Sequence, residues 1–190
     1  MNVKDMLRQA SDAAKQLITL SDQTIIGILK ETAQVLRTHT EEVLAANRQD
    51  LERMDPANPN YDRLKLTEER LQGIAADMEN VSTLPSPLNK VLSETIRPNG
   101  MVIRKVTVPF GVIGVIYEAR PNVTFDVFSL CFRSGNVCVL KGGSDADFSN
   151  RALVRIIHSV LERQGINPAV CTLLPPDREA TAELLGAVGW

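Results

Sequence analysis

Aromatic residues make up only 4% of this 190-residue sequence, too few for the stacked ring platforms that grip single-stranded nucleic acid. An excess of either charge is also missing. The 21 lysines and arginines stand against 23 acidic residues, a net charge of −2, so no global field draws the chain to nucleic acid or to an anionic membrane. No apolar run approaches the roughly 20 residues that a spanning helix needs. The opening MNVKDMLRQASDAAKQ is amphipathic and lacks the apolar core of a secretory leader. Cysteines are scarce: Cys131, Cys138 and Cys171 sit among Val, Leu and Phe, with no CxxC spacing. They read as small buried hydrophobes in a reducing compartment, which predicts a cytoplasmic protein. His39 and His158 have no paired spacing with them, so no metal site is expected.

What is present is ordinary for a globular protein with a real core: 44% hydrophobic and 23% charged residues. The first 83 residues read as helices. Met6, Ala10, Ala13, Ala14, Leu17 and Ile18 recur at helical spacing. Ser21-Asp22 offers an N-cap to TIIGILKETAQVLRTH, whose Ile25, Ile26, Leu29, Ala33 and Leu36 form one stripe. Thr40 can cap a third helix. Residues 55–62, DPANPNYD, predict a loop, Thr67 starts another helix, and Pro85 ends it. Residues 95–108, TIRPNGMVIRKVTV, then predict a hairpin, since both residues of Asn99-Gly100 tolerate positive φ. A two-stranded ribbon is marginal alone and should pack on another body or subunit.

From Val112 onward apolar strands alternate with helices. GVIGVIY reads as a buried strand, 123–133 as a short helix ended by Gly135, and NVCVLK as a second buried strand. SNRALVRIIHSVLERQ is an amphipathic helix with Gly165 placed to end it. AVCTLLP is a third strand, and 177–188 a last helix. Such alternation predicts an α/β fold with a parallel sheet covered on both faces. The expected organisation is a helical region over 1–94, the hairpin over 95–108, and a parallel-sheet domain from 109 to 190.

In sheets of this type ligands bind at the carboxyl ends of the strands. Two segments occupy such positions. Lys141-Gly142-Gly143-Ser144 follows the second strand. Its glycines let the backbone approach a ligand, its lysine offers charge to phosphate or ribose oxygens, and the next helix offers its positive end. It is neither GxGxxG nor a Walker loop, and a plain turn with a solvated lysine explains it as well. Glu118, Arg120 and Asn122 follow the first strand, with Pro121 restricting the backbone. The Asn122 amide can stabilise an oxyanion as a carbonyl becomes tetrahedral, and Arg120 can pair with a carboxylate or phosphate. Alternatively Glu118 and Arg120 are solvated and Asn122 caps the next helix.

Residues 108–124, VPFGVIGVIYEARPNVT, resemble the hallmark segment of the gamma-glutamyl phosphate reductases, a branch of the aldehyde dehydrogenase superfamily. Ser134-Gly135-Asn136, Val139 to Gly143, Leu44 to Asn47 with Asp50-Leu51, and Arg63-Leu64 through Leu71 with Gly73 to Ala75 continue the likeness. The resemblance implies an aldehyde dehydrogenase-like fold entering a Rossmann-like sheet. It implies reduction of L-glutamate 5-phosphate to L-glutamate 5-semialdehyde and phosphate by NADPH, in proline biosynthesis, with glutamate 5-kinase as a partner. It casts Asn122 as the oxyanion donor, Glu118 and Arg120 as substrate-side candidates, and Lys141, Gly142, Gly143 and Ser144 as the NADP(H) site. Ser144 stands where NAD-preferring relatives often carry a glutamate, which would repel a 2′-phosphate. Asp145 and Asp147 nearby work against that preference.

The same resemblance places the nucleophilic cysteine in a later domain, matched by none of the three cysteines here. The 190 residues alone are therefore expected not to turn over substrate. The family's strand-bearing oligomerisation element includes the hairpin in part, so a homo-oligomer is expected at full length, and an isolated piece should leave sheet edge and apolar surface open. The alternatives are a non-catalytic nucleotide-binding or assembly module, and an enzyme oxidising an ordinary aldehyde, against which the Glu118–Thr124 segment speaks.

Overall fold

A computed structural model describes residues 2–187. Helices α1 (Val3–Leu17), α2 (Asp22–Thr38), α3 (Thr40–Glu52), α4 (Tyr61–Leu64) and α5 (Glu68–Thr83) form the first part. Their starts are set locally. The side chains of Asn2, Ser21 and Thr67 accept the amides of Asp5, Thr24 and Arg70 at 2.8, 3.1 and 3.1 Å. Thr40 departs from its expected role. Only His39 separates α2 from α3, so the Thr40 hydroxyl finds the carbonyls of Leu36 and Arg37 behind it and donates to them at 3.4 and 3.0 Å. The expected 55–62 loop is cut short by the single turn of α4. Leu84 turns extended ahead of Pro85, which ends α5.

Helices α2 and α5 lie side by side. Arg37 grips Glu79 with both guanidinium arms, Nη1 to Oε1 at 2.5 Å and Nη2 to Oε2 at 2.8 Å. That hydrogen bonding holds the Glu79 carboxyl below its ordinary value of 4.5. The pair's stability is therefore complete above the unfolded-state pKa and is lost as pH falls through the lower folded value. The pair is partly exposed, so Glu79→Gln is expected to cost at most about 1 kcal/mol at pH 7. Urea melts of parent and variant should converge as the pH falls below the lowered Glu79 value. A gap that stays constant with pH would remove this role.

The hairpin is β1 (Val91–Ile96) and β2 (Val102–Val106), antiparallel and exposed along both strands. It runs from 91 to 106 rather than from 95 to 108. The loop also differs from the expected Asn-Gly pair. Arg97 N donates to Met101 O and Gly100 N to Arg97 O, both at 2.9 Å, and only Gly100, at φ 82°, is left-handed. Pro98 has its φ fixed negative and suits the second position of a type I turn. Gly100 then supplies the left-handed residue of a three-residue loop.

Strands β3 (Val112–Ile116), β4 (Val137–Lys141) and β5 (Cys171–Leu173) form the parallel sheet in that order, with Val112 beside Val137 and Cys138 beside Cys171. The crossovers are α6 (Asn122–Arg133) and α7 (Asp147–Arg163), ended by the left-handed Gly135 and Gly165. They pack on one face, with α2, α3 and α5 outside them. Helix α1 and α8 (Arg178–Leu185) pack together over the sheet, and β4 is buried throughout. The chain between β3 and β5 thus builds a parallel α/β sheet, as its alternating pattern predicts.

Two strands differ from expectation. β3 is an edge strand with Gly114 and Ile116 exposed, not a buried one. Leu184 of α8 reaches it at Gly114, where a methyl group would stand 3.0 Å from Leu184 Cδ1. β5 is short because Asn167-Pro168 opens a 3₁₀ turn over Pro168–Val170, with the Asn167 side chain accepting the Ala169 amide. Of the expected 177–188 helix, Val188 lies outside the described residues. Among the described residues no helix is long and apolar enough to cross a membrane.

Candidate functional site

Parallel pairing brings the ends of β3 and β4 to the same edge of the sheet. Tyr117 N donates to Lys141 O at 3.1 Å, carrying the pairing past the end of β3. The Tyr117 hydroxyl, the Thr124 Oγ1 2.7 Å from it, and Asn150 Oδ1, 3.1 Å beyond, link β3 to α6 and α7. Since Thr124 donates to Asn150, it accepts from Tyr117. Burial pushes the Tyr117 phenol well above its ordinary range, so it stays a neutral donor. Asn150 also explains Gly142: a methyl group there would lie 2.3 Å from Asn150 Nδ2. Ala119 and Ala146, one from each tip, are both buried against Leu64 of α4, with Leu51 and Met54 around them. The helical region thus clamps the two turns.

Asn122 opens α6 but does not cap it. The helix has Pro121 at its cap position, and Asn122 Nδ2 donates to Asp126 Oδ2 at 3.1 Å, one turn on. An amide nitrogen carries two protons, so one remains for a ligand. Burial raises the Asp126 carboxyl, and the bond from Asn122 offsets part of that shift. Glu118 and Arg120 are exposed.

Lys141 is not a solvated lysine: it is 6% exposed. Its Nζ donates to Gly142 O at 3.0 Å and Pro176 O at 3.2 Å. No carboxylate lies within ion-pair distance among the described residues, so one ammonium proton and the full charge are uncommitted to an acid. Ser144 is exposed at the start of the 3₁₀ turn Ser144–Ala146, and its carbonyl accepts from Arg53 Nη2 at 3.2 Å. The Arg53 guanidinium lies 4.6 Å over the Phe148 ring.

What holds this turn was not visible in the local sequence. No residue beside α7 caps it. Asp50, from α3, accepts the amides of Phe148 and Ser149 at 3.2 and 2.8 Å and the Ser149 hydroxyl at 2.7 Å. Asn47, one turn earlier, donates to Leu64 O at 2.9 Å and Ser149 Oγ at 3.0 Å, and accepts the Leu66 amide at 2.8 Å. The available signal was two polar residues on the apolar stripe of α3.

The two tips are neighbours but open into different clefts. Arg120 and Asn122 line one of about 340 Å³ with residues of α4 and α5. Ser144 and Asp145 line another of about 280 Å³, with Arg53, Asp55 and Asn58 opposite. All three thiols are buried. A hydrogen bond with Cys138, and then burial, push Cys131 up. At Cys138 the bond with Cys131 lowers the value, but that with Cys171 and complete burial outweigh it. A thiol held protonated is a poor nucleophile.

No family model matches the chain. It is 99% identical over 189 residues to a gamma-glutamyl phosphate reductase of Parabacteroides distasonis, covering all of this chain and 46% of that protein. Its fold superposes on the crystal structure of gamma-glutamyl phosphate reductase from Thermotoga maritima with a TM-score of 0.93 at 31% identity, covering 97% of this chain and 46% of that one. An acetylating aldehyde dehydrogenase from Geobacillus thermoglucosidasius shares the fold at a TM-score of 0.72 and 17% identity, over 96% of this chain and 38% of that one. The chain spans about half the length of the curated relatives it matches.

Proposed function

We propose that this chain, which corresponds in sequence and fold to the N-terminal part of gamma-glutamyl phosphate reductase, supplies the oxyanion donor and one wall of the nucleotide site for NADPH-dependent reduction of L-glutamate 5-phosphate to L-glutamate 5-semialdehyde and phosphate. This is a step of proline biosynthesis, and glutamate 5-kinase would supply the acyl phosphate. One observation supports the reading most. Asn122, with a free amide proton, and Lys141, with a charge that no acid neutralises among the described residues, sit on adjacent turns at one edge of a parallel sheet.

The residues fit the ribose-phosphate end of NADP. A buried ammonium held by two carbonyls is positioned without being neutralised, and Ser144 presents a hydroxyl where a carboxylate would repel a 2′-phosphate. NADPH, when bound, supplies hydride to the acyl carbon. Asn122 Nδ2 then donates to the oxygen of that carbon as negative charge develops on it, and Asp126 holds the amide in place. The nucleophilic thiol is none of Cys131, Cys138 and Cys171: all three are buried, and Cys131 and Cys138 are pushed up besides. The exposed hairpin, with Leu92, Ile96 and Met101 open to solvent, serves assembly of a homo-oligomer.

Calorimetric titration of the chain with NADP and NAD tests the cofactor assignment. NADP is expected to bind the more tightly. Lys141→Ala should erase that preference, and Ser144→Glu should weaken NADP by about tenfold, the equivalent of roughly 1.4 kcal/mol. Equal binding of both nucleotides by the parent chain would remove the assignment.

A further inference from the structure

The cleft beside Asn122 carries charges that the proposed chemistry leaves unused. Asp62 and Arg70 satisfy each other there, Nη2 to Oδ1 at 3.1 Å, and Arg70 Nη1 is further held by the carbonyls of Asp62 and Lys65, both at 2.6 Å. The other charged lining residues are nearly bare. Arg63 has one long contact, 3.4 Å to Asn60 Oδ1. Lys65, Arg120 and Asp77 have no side-chain hydrogen bond or ion pair among the described residues. The cleft therefore gathers three cations and one carboxylate without strong partners, over the buried Leu66 and Ile74. Its volume of about 340 Å³ falls within the span of small-molecule sites, roughly 300–1,000 Å³.

That pattern is complementary to one kind of ligand. A simple anion would leave Asp77 opposed, and a simple cation would meet three like charges. A zwitterionic amino acid with a second anionic group answers all of them. We propose that this cleft is the amino-acid end of the substrate site: Asp77 receives the α-ammonium, and Arg63, Lys65 and Arg120 divide the α-carboxylate and the phosphate between them. The assignment rests on the reading that Asn122 addresses the acyl oxygen, since Asn122 lines the same cleft. Asp77 also lies within electrostatic reach of that end, for its charge adds to the upward shift at Asp126, the partner of Asn122. The helical region then selects the substrate as well as clamping the turns.

The test is a cross between ligand and protein changes. The chain is titrated with the phosphonate isostere of L-glutamate 5-phosphate, with its N-acetyl derivative, and with inorganic phosphate. Acetylation is expected to weaken binding to the parent about tenfold and to leave Asp77→Ala unaffected, since the variant has already lost that contact. Arg120→Ala and Lys65→Ala should each weaken the isostere severalfold. All three side chains are exposed, and thermal melts matching the parent establish that the variants fold. An acetylation penalty equal in parent and Asp77→Ala overturns the proposal. So does isostere binding no tighter than that of inorganic phosphate. NADP titration of the same variants separates the two readings. A Lys141-dependent nucleotide preference beside a failed acetylation cross sinks only the amino-acid site. A successful cross without that preference sinks only the cofactor assignment.

Discussion

Asp50→Ala is expected to destabilise the fold by about 3 kcal/mol, several times what an exposed aspartate on a helix would cost. The side chain is fully buried. It receives the first amides of α7 from Phe148 and Ser149, the Ser149 hydroxyl, and Arg53 Nη2 at 2.7 Å. Alanine would leave those buried α7 donors without an acceptor. Each such donor costs about 1–3 kcal/mol when water cannot reach it, and the positive end of α7 loses its counter-charge. The Arg53 end is half exposed and can rehydrate, which keeps the sum near the lower bound. Asp50→Asn keeps one acceptor oxygen and should lose about half as much. The effect should extend to function. Asp50 and Arg53 together fix the Ser144 turn, so Asp50→Ala should also blunt any NADP preference while the chain is still folded. Urea unfolding gives the stability and titration the preference. A loss under about 1 kcal/mol would mean that α7 starts without Asp50.

The second large effect is an asymmetry at Arg133 and Asp22. Arg133, at the end of α6, is buried; it pairs with Asp22 at the start of α2 and donates to Leu84 O through Nε at 3.1 Å and Nη2 at 2.5 Å. Its partner is not buried to the same degree: the Asp22 side chain is 46% exposed against 5% for Arg133. Removing the more exposed residue should therefore do more harm. Asp22→Ala strands a cation that water cannot reach, at about 3 kcal/mol. Arg133→Met leaves a carboxylate that rehydrates, keeps the apolar stem packed, and strands only the Leu84 carbonyl, at about 1.5 kcal/mol. The double variant should be no less stable than Asp22→Ala alone, because the stranded charge is gone. If Arg133→Met is the more damaging, the pair's worth lies in packing rather than charge.

Much of this could be read from local pattern. Apolar spacing located the long helices, Ser21 and Thr67 marked two of their starts, and Gly135 and Gly165 marked two ends. Each is a contact between residues within about one turn, so neighbouring letters contain it. The alternation of apolar runs with amphipathic helices was enough for a parallel sheet, because crossover helices cover the faces of strands joined in that way. From that sheet alone followed the idea that chemistry collects at 117–124 and 141–144. Tertiary structure decided the rest. Asp50 caps a helix 99 residues away in sequence, at Ser149, and Lys141 finds Pro176 O 35 residues on. The buried side of β3 depends on where α8 lands, and the charges of the cleft converge from α4, the loop after it, α5 and the Arg120 turn. Periodicity and capping are short-range and survive in any window of the sequence; burial of a charge and the supply of its partner are set only when distant segments share one volume.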